Sequence, residues 1–317
     1  MHELSTLHDD QVFLRREALD HGYTDLDLKH AVADDVLAKV RHGVYTLAEV
    51  WAAAGATEKH RLRAHAVLRS HNAHLALSHT SAAVEHGLRL HRPDLDRVHV
   101  TCLDRHIART TRDIVYHQGR CGEDDLTTRN GVLLVRPVRA GLETASLGDT
   151  PQGLVVLDSV VDLGLGSLDD IRTSYQAVGR HPDSRRLQVV VRLVRKGSNS
   201  VGETLSRHLM FRWGLPEPEL QFEVYDAHGN LVGRTDFAWP GHGLLGEFDG
   251  LAKYGRLRRP GETVEQAVVR EKQREDLLRE LTGWLMIRLI WSELFTPGPT
   301  TARIREQLAR GRRVVAA

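Results

Sequence analysis

The stretch LLGEFDGLAKYGR, residues 244 to 256, places two carboxylates, Glu247 and Asp249, two positions apart at the end of an apolar run. Gly250 and Lys253 follow them. Side chains alternate between the two faces of a strand, so Glu247 and Asp249 share one face. A third acid, Asp236, lies inside an earlier strand-like run, LVGRTDFAWP. Carboxylates grouped at strand interiors repel one another and are costly to desolvate unless a positive charge pairs with them. A divalent cation with oxygen ligands is the usual compensation, and Mg²⁺ (or Mn²⁺) held by a few carboxylates and waters suits phosphodiester hydrolysis. Glu203, in the first turn of the helix read from SVGETLSRHLMFRW, is a candidate further ligand for such a cluster.

The elements that must position these residues are legible from their periodicity. Val201, Leu205, Leu209 and Trp213 recur with helical spacing, and GLPEP stops that helix. Three strand candidates follow, LQFEVYD, LVGRTDFAWP and GLLGEFDG, joined by the turn signals AHGN and PGHG. A long charged helix over residues 261 to 281 then precedes a last strand, WLMIRLIW. Helix, three antiparallel-type strands, helix, strand is the αβββαβ order of the PD-(D/E)XK nuclease core.

The segment carries an early Glu (Glu203), then GLPEP, RTDFAWP, EFDG, and REDLLREL ahead of GWLMIR. It resembles the DUF559 and Vsr-like branch of the PD-(D/E)XK superfamily. That resemblance implies a restriction-endonuclease-like fold over residues 197–317 and Mg²⁺-dependent DNA hydrolysis. It also implies that Glu203, Asp236, Glu247 and Asp249 are the metal positions, and that Asp236, Glu247, Asp249 and a lysine are the catalytic ones. One departure stands out: Asp249 occupies the place that E-x-K gives to lysine. Lys253, four positions on, is the preferred substitute. Lys272, on the following helix and on one face with Asp276, is the other candidate and a possible DNA contact.

Residues 1–55 read as two short helices and a hairpin. The first helix is expected from Gln11 to Asp20; Thr24 caps a second that ends near Ala33, and His42-Gly43 punctuates two β-branched runs. This is the order of a winged helix-turn-helix, whose second helix enters a major groove while Lys29, Lys39 and Arg41 meet phosphates. The run from Arg41 to Tyr45, RHGVY, is similar to the basic wing of the AbiEi-type antitoxin family. That resemblance implies DNA as a partner and an alternative function: a transcriptional regulator of a type IV toxin-antitoxin system, with a cognate toxin and an inactive nuclease fold.

Residues 56–196 are expected to form an α+β linking domain. Its histidines, His60, His65, His71, His74, His79, His86 and His91, lack the cysteine or acidic partners at ligand spacing that a zinc site requires, so none is assigned. Cys102 and Cys121 likewise take no role. Across all 317 residues, 41% are hydrophobic and 27% charged, the balance of a globular chain. A net charge of +1 gives no overall argument for nucleic acid. The N-terminus has no apolar signal core, and Arg288 interrupts the longest apolar run, so a cytoplasmic protein with no membrane segment is expected.

Overall fold

The computed structural model describes residues 11–71, 74–104, 108–118, 121–177, 184–250 and 262–315. The chain divides into two compact units, Met1–Val194 and Arg195–Ala317. Among the described residues it holds thirteen α-helices and three sheets, an α+β composition. None of these helices is long and apolar enough to cross a membrane.

The first unit opens with β1 (Phe13–Leu14), where a helix was expected from Gln11. Val12, Phe13 and Leu14 are all buried, and three consecutive buried side chains suit a strand rather than one face of a helix. Helices α1 (Arg15–Asp20) and α2 (Asp25–Ala33) follow, then β2 (Leu37–Arg41) and β3 (Val44–Leu47). The three strands form an antiparallel sheet in the order β1-β3-β2. Thr24 and Asp27 close a capping box at the start of α2: the Asp27 amide donates to Thr24 Oγ1 at 3.2 Å, and the Thr24 amide donates to Asp27 Oδ2 at 2.7 Å. After α3 (Ala48–Ala53), α4 (Ala56–Ser70) sets Leu62 and Ala66 against Val12, Leu14 and Val44. The small sheet and α4 therefore share a core.

The rest of that unit is a six-stranded mixed sheet flanked by helices. Its strands are β4 (Leu75–Leu77), β5 (Val98–Cys102), β6 (Arg109–Thr110), β7 (Ile114–His117), β8 (Leu126–Arg129) and β9 (Val132–Val135), in the order β6-β7-β5-β4-β9-β8. The helices are α5 (His79–Glu85), α6 (Pro137–Leu147), α7 (Thr150–Asp162), α8 (Leu168–Ala177) and α9 (Ser184–Leu193). Leu142, Leu154, Leu157 and Val190 form the core shared by α6, α7 and α9.

The second unit runs α10 (Val201–Arg212), β10 (Glu219–Tyr225), β11 (Leu231–Trp239), β12 (Leu244–Asp249), α11 (Val264–Thr282), β13 (Leu285–Ile290), α12 (Trp291–Leu294) and α13 (Pro297–Val315). The sheet order is β10-β11-β12-β13; neighbours are antiparallel except β13, which runs parallel to β12. Leu244 to Phe248 are continuously buried because β12 is a central strand covered on both faces. Phe237, Trp239, Leu244 and Phe248 pack with Ile304 and Leu308 of α13. On the other side Val224, Ala238 and Leu245 pack with Leu278 of α11. Each such fully buried Leu or Phe contributes roughly 1.5–3 kcal/mol. Helix α10 starts where Ser200 Oγ accepts the Glu203 amide at 3.2 Å, which fixes Glu203 in the first turn.

Candidate active site

A cleft of about 320 Å³ opens between α11 and strands β11, β12 and β13, and Asp236, Glu247, Asp249, Glu271, Arg274 and Arg288 are among its lining residues. Antiparallel register creates it: Phe237 pairs with Gly246, so Asp236 and Glu247 come beside each other across β11 and β12. Asp236 Oδ2 accepts the Phe248 amide at 2.8 Å, a bond that holds the carboxylate against β12. Asp236 Oδ1 lies 3.4 Å from Gln221 Nε2, which also donates to Glu203 Oε2 at 3.2 Å. Glu203, 2% exposed, accepts the Asn199 amide at 2.9 Å as well. Gln221 itself adopts φ +50°, a sparsely populated conformation for a residue with a side chain.

Glu247 is 8% exposed and bonds Arg274 Nη2, with Arg288 Nη2 at 3.6 Å from its other oxygen. Arg288 faces Glu247 in the parallel register of β12 and β13. Its guanidinium reaches Asp249 at 3.4 Å and Glu275 at 2.8 Å. Arg274 is also bonded to Glu271 at 2.6 Å and to the Arg234 carbonyl at 3.1 Å. Burial pushes the Glu247 carboxyl above its usual range despite the pull of Arg274, with Glu271 and Asp236 adding to the rise. Burial also works against the charge on Arg274, but Glu271 and Glu247 more than restore it and raise its pKa.

Among the described residues no three His, Cys, Asp or Glu side chains gather as a metal-binding group. Glu247 and Asp249 are engaged by the two arginines instead. The donor chemistry nonetheless suits a hard divalent cation, since the described lining residues that can act as ligands are carboxylates, with neither thiol nor imidazole. Each arginine also has a second carboxylate, Glu271 for Arg274 and Glu275 for Arg288. Were Glu247 to turn from the guanidinium, neither arginine would be left without a carboxylate. Asp236 and Glu247 are the residues that would hold Mg²⁺ or Mn²⁺.

The remaining expected residues are scattered. Lys253 lies outside the described residues. Lys272 is exposed on α11 and is not among the residues lining the cleft, whereas Arg274, two positions on, is. Lys29 and Lys39 are exposed on α2 and β2. Arg41 is half-buried and committed to Ser70 Oγ at 2.9 Å and Asp113 at 3.2 Å. Sequence reasoning missed Gln221, Glu271, Arg274 and Arg288. A signal existed for two of them: Ala267, Glu271, Arg274 and Leu278 recur at helical spacing, and Ala267 and Leu278 are buried, which marks the stripe as inward-facing.

A separate group of titratable side chains sits in the first unit. The His79 ring stacks on His117 at 3.5 Å between centroids, and His99 Nδ1 lies 2.8 Å from His117 Nε2. His79 Nδ1 is 3.3 Å from Glu143, which Arg139 also holds at 2.8 Å. Burial lowers the pKa of His99 to about 3, with the neighbouring His117 adding to the fall, and lowers that of His117 to about 4. Unfolded histidines take up protons near pH 6.5, so below that pH the unfolded state binds more protons than the folded one. The stability these residues contribute is full above that value and is lost as the pH falls toward 4. The thermal midpoint should decline over this window, and less steeply in His99→Gln; an unchanged slope in that variant would contradict the assignment.

No family model matches the chain. Two uncharacterized proteins of Mycobacterium tuberculosis, one from strain CDC 1551 / Oshkosh and one from strain ATCC 25618 / H37Rv, are each 30% identical to it over 209 residues. The match covers 64% of this chain and 71% of each relative. The chain belongs to the family that these mycobacterial proteins represent.

Proposed function

We propose that the chain is a DNA-binding protein whose second unit hydrolyses DNA phosphodiester bonds with Mg²⁺ or Mn²⁺. The observation that carries this reading is the cleft in which Asp236 and Glu247 meet beside Asp249, on a four-stranded sheet built in the order α10, β10, β11, β12, α11, β13. Asp236 is oriented by the Phe248 amide, and Glu247 is a buried carboxylate whose proton affinity is raised. Both are suited to hold a cation and the water beside it. A bound cation would polarise a phosphoryl oxygen and lower the pKa of its water. The helix pair and hairpin of residues 15–47 would supply affinity for the duplex, with α2 in the major groove and Lys29 and Lys39 on phosphates. Such a substrate would place the protein in the cytoplasm.

The test is cleavage of duplex DNA by the purified chain with Mg²⁺. Asp236→Ala is expected to slow it by about a hundredfold or more. Equal rates in the variant and the wild type would contradict the reading.

A second reading is favoured by a different observation: Glu247 and Asp249 are already paired with Arg274 and Arg288, and Asp249 stands where a lysine is usual. On that reading the chain is an antitoxin-like transcriptional regulator, partnered by a toxin, and its nuclease fold does not cut. It would bind its own promoter with strong salt dependence and show no metal-dependent cleavage.

A further inference from the structure

Arg274 is anchored more firmly than its bond to Glu247 requires. Nη2 donates to Glu247 and to Glu271 Oε1 at 2.6 Å, Nε reaches Glu271 at 3.2 Å, and Nη1 donates to the Arg234 carbonyl at 3.1 Å. A guanidinium carries five N–H donors, and among the described residues these bonds use four and leave one on Nη1. The anchors come from α11 and β11, and only the bond to Glu247 involves a residue that would hold a cation. If Glu247 turns to a cation, Arg274 remains fixed by Glu271 and the Arg234 carbonyl, with two N–H donors available in the cleft it lines.

We infer that Arg274 is a substrate-binding residue of this cleft, holding Glu247 in the cation-free protein and a non-bridging phosphate oxygen of the DNA once Glu247 holds a cation. The inference rests on the nuclease reading above and gives the positive charge absent at Asp249 a place on α11. A planar fork of donors matches a phosphate better than a lysine does. Arg288 is less suited, because its guanidinium is spread over Asp249, Glu275 and Glu247. Lys272 is exposed and is not among the residues lining the cleft.

The experiment compares the full chain with Arg274→Gln and Arg274→Lys, by calorimetric Mn²⁺ titration and by single-turnover cleavage of a duplex oligonucleotide. Arg274→Gln should bind Mn²⁺ about tenfold more tightly, since one charge-assisted bond no longer competes for Glu247. It should also cleave about a hundredfold more slowly. Opposite changes in the two readouts are what a merely structural arginine would not produce. Arg274→Lys keeps the charge and loses the fork, so it should recover part of the rate; it carries the test if the Gln variant does not fold. Wild-type cleavage by either variant, or weaker Mn²⁺ binding by Arg274→Gln, would overturn the inference alone. A wild-type chain that neither binds Mn²⁺ nor cuts the duplex would overturn the nuclease reading, and the inference with it.

Discussion

Glu247→Gln should slow the proposed metal-dependent cleavage by about a hundredfold to a thousandfold while leaving the fold no less stable at neutral pH. The two halves of that expectation have one cause. Burial raises the Glu247 carboxyl above its ordinary value of 4.5, so the folded protein takes up this proton more readily than the unfolded chain. Any stability linked to the group is therefore present below that value and is lost as the pH rises through the folded pKa. At neutral pH the ionised side chain is held at the expense of stability, and the amide removes that burden. Arg274 would not be stranded, because Glu271 and the Arg234 carbonyl still bind it. Melting curves of the two proteins should differ least near pH 4.5 and favour the variant above it. A variant that melts clearly below the wild type at pH 7 would make Glu247 a structural ion-pair residue instead.

Gly202→Ala should be among the most damaging small substitutions in the second unit. A Cβ at this position would fall inside the van der Waals envelope of the Phe248 ring. That ring is 2% exposed and packs edge-on against Trp291 at 5.3 Å, so it has no vacant space to enter. Helix α10 would have to retreat from β12, and overpacking of this kind costs about 1–3 kcal/mol. The same retreat would move Glu203, the next residue, away from Gln221 and so loosen the group around Asp236. Thermal melting should show a lower midpoint despite the better helix propensity of alanine. A midpoint at or above that of the wild type would mean that α10 does not depend on this close approach.

Much of the second unit was legible because its signals are local. Ser200 reads as a cap, Gly214 and the prolines of GLPEP as a stop, and the three strands as apolar runs between turn residues; the structure has these elements within a residue or two. The N-terminal strand was misread because VFL fits either a helix or a strand, and only its pairing with β3 decides. Helix α13 is not among the elements read from the sequence; Pro297 and Pro299 lie in its first turn, where proline is tolerated.

The site divides the same way. Asp236, Glu247 and Asp249 can be grouped from alternation within strands. Their arginine partners cannot, since Arg288 meets Glu247 only through a parallel register and Arg274 only through the packing of α11 on the sheet. The positive φ of Gln221 has no counterpart in residue type or spacing. The stacked histidines follow from the parallel pairing of β5 with β7, which brings His99 and His117 together over a sequence gap that no ligand spacing would suggest.

On the proposed function, the cleft binds a divalent cation through Glu247 and Asp236. Calorimetric titration of Mn²⁺ into the wild-type chain and into Glu247→Gln tests it most directly. Saturable binding by the wild type and its loss in the variant are expected, with both proteins folded by thermal melting. Absence of binding by the wild type, or equal binding by both, would contradict it.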